Sequence, residues 1–381
     1  MSKIMCGRAH AQSRRKAEWL GTTIALVLAA VAVAIAAFVG AQVSTGHGYA
    51  SWQDKASSLV RSVGMGPVLD YVENWIYSVN GPGSTQPDLR ALGAVLPGRP
   101  VLGSTAQPSG LPALSSTSSS AGWRELGGTP GITPSVYTAF VQPDPLHRGV
   151  VVAVALLRSS LLQAHLVAGT VQPIRSGSAA TIPTPDISNL VTAFNSGFKM
   201  SAHPGGFYLN GKTMVPLVDG KASAVIDDTG HLTIGQWGRD VQMSSHVTAV
   251  RQNLALVVMH GQAVAGLDRN VDNRWGSSRN QFQYTWRSGL GVTAHGDVVY
   301  VAGDKLNLTT LATAMVDAGV TTGMELDIHS GQQSFTAFTA GASGGHQPHK
   351  LMSTMSGPVG RYTFPDARDF FYFTLGTSPP N

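Results

Sequence analysis

The chain has 381 residues, 43% apolar and only 12% charged, so it can bury a large core and is not a disordered polyelectrolyte. Its formal net charge of +5 sits mostly at one end, because residues 1–19 carry +4 and the remaining 362 carry +1. That removes the electrostatic case for nucleic-acid binding, and the single cysteine, Cys6, excludes an internal disulfide or a cysteine-based metal centre.

Lys3, Arg8, Arg14, Arg15 and Lys16 form a basic tail over residues 1–19. An uncharged run of 24 residues follows, from Leu20 to Val43. As a helix it would span roughly 36 Å, enough for a ~30 Å hydrocarbon core. The basic flank predicts a cytoplasmic N-terminus and an extracytoplasmic C-terminal domain, in a single-pass protein of the plasma membrane. The run is longer than the ~7–15 residues of a signal-peptide core, so a retained signal anchor is expected rather than cleavage near Val39-Gly40-Ala41.

Residues 44–80 read as a helical neck. Leu59, Val60 and Val63, then Val68, Leu69, Val72, Trp75 and Ile76, recur at helical spacing around a break at Gly64-Met65-Gly66-Pro67. This amphipathic segment is expected to pack on the main domain or to lie on the bilayer. Residues 81–121 hold 20 Pro, Gly or Ser among 41 positions and predict a flexible spacer.

Residues 122–376 read as one α+β domain, a strand-rich mixed sheet with packed helices. Strands are expected at 136–141, 150–157, 224–226 and 298–302. A helix is expected after Asn307 as N-cap, with Leu308, Leu311, Ala312, Met315 and Val316 on one face and Gly319 as its stop. Lying between strand 298–302 and a further strand at 323–328, it predicts a βαβ unit.

Two motifs mislead. Gly206-Phe207-Tyr208-Leu209-Asn210-Gly211-Lys212-Thr213 matches a P-loop by letters, but bulky residues fill the loop and Pro216 stands where a helix should run. A hairpin with an Asn-Gly turn is expected instead, with no nucleotide bound. Gly341-Ala342-Ser343-Gly344-Gly345 has the letters of a nucleophile elbow without a strand-to-helix context.

The best candidate for chemistry is Met324-Glu325-Leu326-Asp327-Ile328-His329. Strict alternation would put Glu325, Asp327 and His329 on one strand face, an unusual cluster in a domain so poor in charge. The competing reading is a solvent-facing edge strand. In Trp286-Arg287-Ser288-Gly289-Leu290-Gly291, the lone arginine either grips a phosphate or carboxylate or forms a structural salt bridge. Asn195-Ser196-Gly197-Phe198, after the apolar Leu190 to Phe194, reads as a tight turn that brings backbone close to a ligand, or as a plain turn.

At these three places, across roughly residues 190–330, the sequence resembles the phosphodiester glycosidase family. That family shows an Asn-Gly-Gly-Phe turn, an arginine-centred run and a late Leu-Asp-Gly-Gly segment. The neck residues Glu73-Asn74-Trp75, with Trp237-Gly238-Arg239-Asp240 and Arg251-Gln252-Asn253-Leu254, resemble a membrane-anchored actinobacterial branch. Ser196 stands in place of a glycine, and Ile328-His329 in place of the glycine pair. The resemblance implies hydrolysis of sugar-1-phosphodiester linkages in envelope glycans. Asp327, Glu325 and His329 would then be catalytic, and Arg287, Asn195, Gly197 and Ser288 would bind substrate. Arg287 would hold the phosphate, Asp327 or Glu325 would stabilise positive charge or activate water, and His329 would shuttle a proton. No cofactor is required, and no metal site is called for by spacing. A non-catalytic glycan-binding or scaffold protein of the same fold is the alternative. A metal-dependent phosphodiesterase using the same acidic cluster is a third reading.

Overall fold

The computed structural model describes residues 64–79, 81–83, 98–100, 111–114, 122–126, 134–175, 177–276, 283–340 and 346–376, with single positions at 55, 57, 60, 61 and 85. The basic tail, the anchor at 20–43, much of the neck and spacer, and the Gly341–Gly345 segment lie outside the described residues. Among the described residues no helix is long and apolar enough to cross a membrane.

Strands dominate, arranged in three sheets with few helices. The largest has nine strands, in the order 98–100, 124–126, 136–141, 152–157, 298–306, 285–293, 320–328, 256–259 and 262–263. One five-stranded sheet runs 232–236, 222–227, 247–252, 207–209 and 212–215. The other runs 346–350, 335–340, 190–195, 370–375 and 162–167.

The expected mixed sheet is corrected: every pairing between described strands is antiparallel. The reason lies in the βαβ unit. Strand Val298–Leu306, helix Leu308–Asp317 and strand Val320–Ile328 follow one another as expected, but strand Thr285–Thr293 lies between the two parallel members and pairs with both. The helix starts where the sequence says: the Asn307 side chain accepts a hydrogen bond from the Thr310 backbone N–H at 2.8 Å. Gly319 follows with φ +81°.

The nine-stranded sheet is covered on both faces, which explains why strands 136–141 and 152–157 are buried at every position. Tyr137, Ala139, Val152, Val154, Val299 and Val301 pack with Leu308, Leu311 and Met315 of the helix. Phe140, Ala153, Tyr300, Ala302, Met324 and Leu326 pack with residues of the two smaller sheets, among them Phe207, Ile226, Phe194 and Phe371. The glycines of the arginine-centred run serve this packing. A Cβ on Gly289 would lie 2.9 Å from the Met315 sulfur, and one on Gly291 would run into the Val320 side chain.

The P-loop look-alike is a β-hairpin, as expected. Strands Phe207–Leu209 and Lys212–Val215 pair across Asn210 and Gly211, which have φ 48° and 82°. The spacer expected over 81–121 is partly built into the domain. Gly98–Pro100 pairs with Arg124–Leu126, Leu111 is buried, and the Trp123 indole N–H donates to the Pro112 carbonyl at 2.8 Å.

Candidate active site

Strand Val320–Ile328 runs between strands 285–293 and 256–259, so it is interior and not a solvent-facing edge. Its register shifts by one residue: Gly289 faces Glu325, whereas Arg287 faces Ile328. This bulge interrupts the alternation that a regular strand would keep. The expectation that Glu325, Asp327 and His329 share one face is therefore corrected. The two carboxylates sit two residues apart in sequence and serve different partners.

Glu325 is sealed. Its Oε1 lies 2.5 Å from an Arg287 terminal nitrogen, and both side chains are 1% exposed. Arg287 also donates from Nε to the Leu306 carbonyl at 3.0 Å. Burial pushes Glu325 above the usual carboxylate range, with Arg287 pulling the other way. Its second oxygen, Oε2, makes no hydrogen bond. Of the two readings of Arg287, the salt bridge is the arrangement present.

Asp327 lies nearer the surface. Its Oδ2 accepts from Arg368 at 2.7 Å and its Oδ1 from the Ile328 backbone N–H at 2.8 Å. Arg368 donates at 2.8 Å to the Gly197 carbonyl and at 3.2 Å to Gln332 Oε1. Gln333 donates to the Asp327 carbonyl at 2.8 Å.

The Asn195–Phe198 turn sits directly beside this pair. Asn195 ends strand 190–195 and uses its whole carboxamide. Its Nδ2 donates to Ser288 Oγ at 3.0 Å and to the Ser196 carbonyl at 2.9 Å. Its Oδ1 accepts from the Tyr300 hydroxyl at 2.9 Å and the Ser334 N–H at 3.1 Å. Burial pushes the Tyr300 hydroxyl well above the usual phenol range, so it stays a donor. Ser288 joins the turn to the central strand: its hydroxyl is 3.3 Å from both the N and the O of Asp327. Asn195 and Ser288 thus act as clamps between two sheets.

Gly197 is required by close approach. A Cβ there would lie 2.6 Å from Asn253 Oδ1. Asn253 accepts from the Phe198 N–H at 3.0 Å and donates to the Glu325 and Leu326 carbonyls at 2.6 and 2.8 Å. Arg251 donates to the Phe198 carbonyl at 2.6 Å and pairs with Asp369 at 2.7 Å, both side chains fully buried. The Ser196 hydroxyl is buried among these groups and makes no hydrogen bond.

His329 ends the strand with φ 71°, a left-handed backbone that glycine takes freely and histidine takes at a cost of about 1–2 kcal/mol. This conformation is the physical counterpart of the glycine in the resembled motif. Its N–H still donates to the Trp286 carbonyl at 2.9 Å. Desolvation, then the charges of Arg287 and Arg61, lower the imidazole to about 3. Its Nε2 lies 3.9 Å from Glu73 Oε2 on the neck helix Gly66–Val79. The neck therefore reaches the rim of the site, and Lys199 Nζ, just past the turn, reaches Ser57 Oγ at 3.3 Å.

Among the described residues, no group of three or more His, Cys, Asp or Glu is placed to hold a metal ion.

Residues 188–337 match the phosphodiester glycosidase family. The phosphodiester glycosidase match contains Asn195, Gly197, Arg287, Ser288, Glu325, Asp327 and His329, and ends before Arg368 and Asp369. Among proteins with curated functions, none matches. The solved structures similar to the chain include three of note. The catalytic domain of zebrafish N-acetylglucosamine-1-phosphodiester alpha-N-acetylglucosaminidase, auto-inhibited by its pro-peptide, is 12% identical with a TM-score of 0.42, over 78% of this chain and 95% of that one. A hypothetical protein from Synechocystis is 13% identical with a TM-score of 0.34, over 63% and 62% of the two chains. A protein from Burkholderia pseudomallei K96243 is 10% identical with a TM-score of 0.32, over 59% and 74%.

Sequence reasoning missed Arg368, Asp369, Gln332 and Gln333. A signal existed for the first two: Asp366-Ala367-Arg368-Asp369 packs three charges into four residues immediately before an aromatic strand. In a chain with 12% charge, that density marks a place where charge must be paired in the interior.

Proposed function

We propose that this protein is a membrane-anchored, extracytoplasmic hydrolase that cleaves sugar-1-phosphodiester linkages in envelope glycans. The observation that carries this reading is the Asp327–Arg368 pair, held against the Asn195–Phe198 turn inside the segment that matches phosphodiester glycosidases. In the reaction the glycosidic C1–O bond breaks, water adds at C1, and a phosphomonoester leaves. A phosphate leaving group is already stable as an anion, so strong acid assistance is unnecessary. Asp327 stabilises the positive charge that develops at C1 or takes a proton from the attacking water. Arg368 orients that carboxylate and places positive charge beside it, and is assigned the phosphate contact because it keeps 7% exposure where Arg287 keeps 1%. His329, whose imidazole titrates at about 3, stays neutral at pH 7 and is assigned a hydrogen-bonding contact at the rim in place of the proton shuttle. Glu325 supports the site from beneath and touches no substrate.

The test is incubation of the purified chain with nucleotide sugars and other sugar-1-phosphodiesters, with identification of the products. Free sugar, with a nucleoside diphosphate from a nucleotide sugar or a phosphomonoester from a simple phosphodiester, sustains the reading, and sugar phosphate overturns it. The alternative, a glycan-binding scaffold, is favoured by one observation: hydrogen bonds already commit Asn195 and Asp327 within the protein. Saturable glycan binding without turnover would establish it.

A further inference from the structure

The helix Gly66–Val79, with Met65 just before it, leaves a set of large apolar side chains uncovered. Met65, Val68, Tyr71, Val72 and Trp75 are all exposed, Tyr71 to 74% and Trp75 to 62%. At about 100° per residue they fall within an arc of about 120°. Glu73 lies off that arc and meets His329 at the rim of the site. One flank of the helix therefore faces the domain, and an apolar stripe faces away from it.

We infer that this stripe lies in the headgroup layer of a lipid bilayer. The inference rests on the reading of Leu20–Val43 as a membrane anchor. Three observations select lipid as the occupant. Only 21 residues separate Val43 from Met65, so the anchor holds the helix close to the membrane surface and raises its effective concentration there. The two most exposed members, Tyr71 and Trp75, pair an apolar ring with a polar tip, which suits the boundary between headgroups and acyl chains. Residues 66–79 contain no Lys or Arg, so attachment through burial of apolar area needs no anionic lipid. With the helix on the bilayer, the His329 rim stands roughly one helix diameter, about 10–12 Å, above the headgroups. Such a site faces substrates carried at the membrane surface.

The test uses the full chain with Cys6→Ser and one new cysteine, Tyr71→Cys, labelled with an environment-sensitive fluorophore in phosphatidylcholine nanodiscs. A second chain carries the label at Asp228→Cys, on an exposed turn of the domain. The Tyr71 label should emit to the blue of the Asp228 label and be quenched by brominated lipid. It should resist aqueous iodide, and do so equally when phosphatidylglycerol is added. A Tyr71 label as open to iodide as the Asp228 label, in a chain retained by the nanodisc, overturns the inference. Self-quenching that disappears on dilution with unlabelled chain would mean that a second copy covers the stripe, and also overturns it. A chain that fails to enter the bilayer sinks the anchor reading by itself. The same labelled chain is then mixed with phosphatidylcholine vesicles, where a blue shift sustains the helix–lipid contact and its absence overturns it.

Discussion

Two arginine–carboxylate pairs hang from the same strand and differ in one respect, their distance from water. Arg287–Glu325 is 1% exposed on both sides, whereas Arg368–Asp327 is 7% and 8% exposed. In the first, desolvation of both charges is offset by their mutual attraction and by carbonyl contacts, so removal of either partner strands the other. In the second, both side chains keep a slight opening to solvent. Equal chemistry at unequal depth makes the first pair a matter of stability, and gives the second the role proposed for it in turnover.

Breaking the sealed pair should have the largest effect. Arg287→Met leaves Glu325 buried without its countercharge and should cost about 3–5 kcal/mol of stability by denaturant unfolding. Arg287→Met with Glu325→Leu should recover most of that loss, because no lone charge remains. A single variant as stable as wild type would mean that the pair is not sealed.

The boundary pair should respond in rate instead. Asp327→Asn keeps the size and much of the hydrogen bonding, so the midpoint of unfolding should move little. Phosphodiester hydrolysis should fall about 100- to 1000-fold, equivalent to ~2.7–4 kcal/mol of transition-state stabilisation. Full turnover in a folded Asp327→Asn protein would remove this carboxylate from the chemistry.

His329 sharpens the comparison through pH. Its folded value of about 3 lies below the ordinary imidazole value of 6.5, so the folded state binds fewer protons between those limits. The stability it contributes is present above about pH 6.5 and is lost as pH falls toward 3. His329→Asn, which tolerates the left-handed backbone, should flatten that part of the stability–pH curve relative to wild type. Parallel curves for the two proteins would contradict the assignment.

The smallest effect belongs to Lys212, exposed on the hairpin that mimics a P-loop. Lys212→Ala should leave stability within about 0.5 kcal/mol and activity unchanged. ATP binding abolished by this substitution would reopen the nucleotide question.

Much of the fold was legible because local rules decided it. Asn307 and Gly319 bracket the helix, and the expected strands 136–141 and 298–302 are largely apolar runs, the second continuing to Leu306. The insertion of strand 285–293 into the βαβ unit was hidden, because it depends on a pairing that no local pattern encodes. The same limit applied to the site. Asp327 and the Asn195 turn stood out by residue type. The bulge that parts Asp327 from Glu325 follows from a register shift against Arg287 and Gly289. Arg368 escaped notice because its meaning arises only where chain ends and sheets meet.

Strand Phe370–Leu375, the last in chain order among the described residues, occupies an interior place in its sheet, between strands 162–167 and 190–195. Arg368 and Asp369 immediately precede it and close the salt links to Asp327 and Arg251. This arrangement sets an order in time. A nascent chain that has emerged only as far as Arg361 has strands 162–167 and 190–195 with nothing between them, and a carboxylate and a guanidinium awaiting partners not yet made. The domain must therefore complete its folding only after Leu375 has been made, and the site is assembled in the same closing step as the sheet.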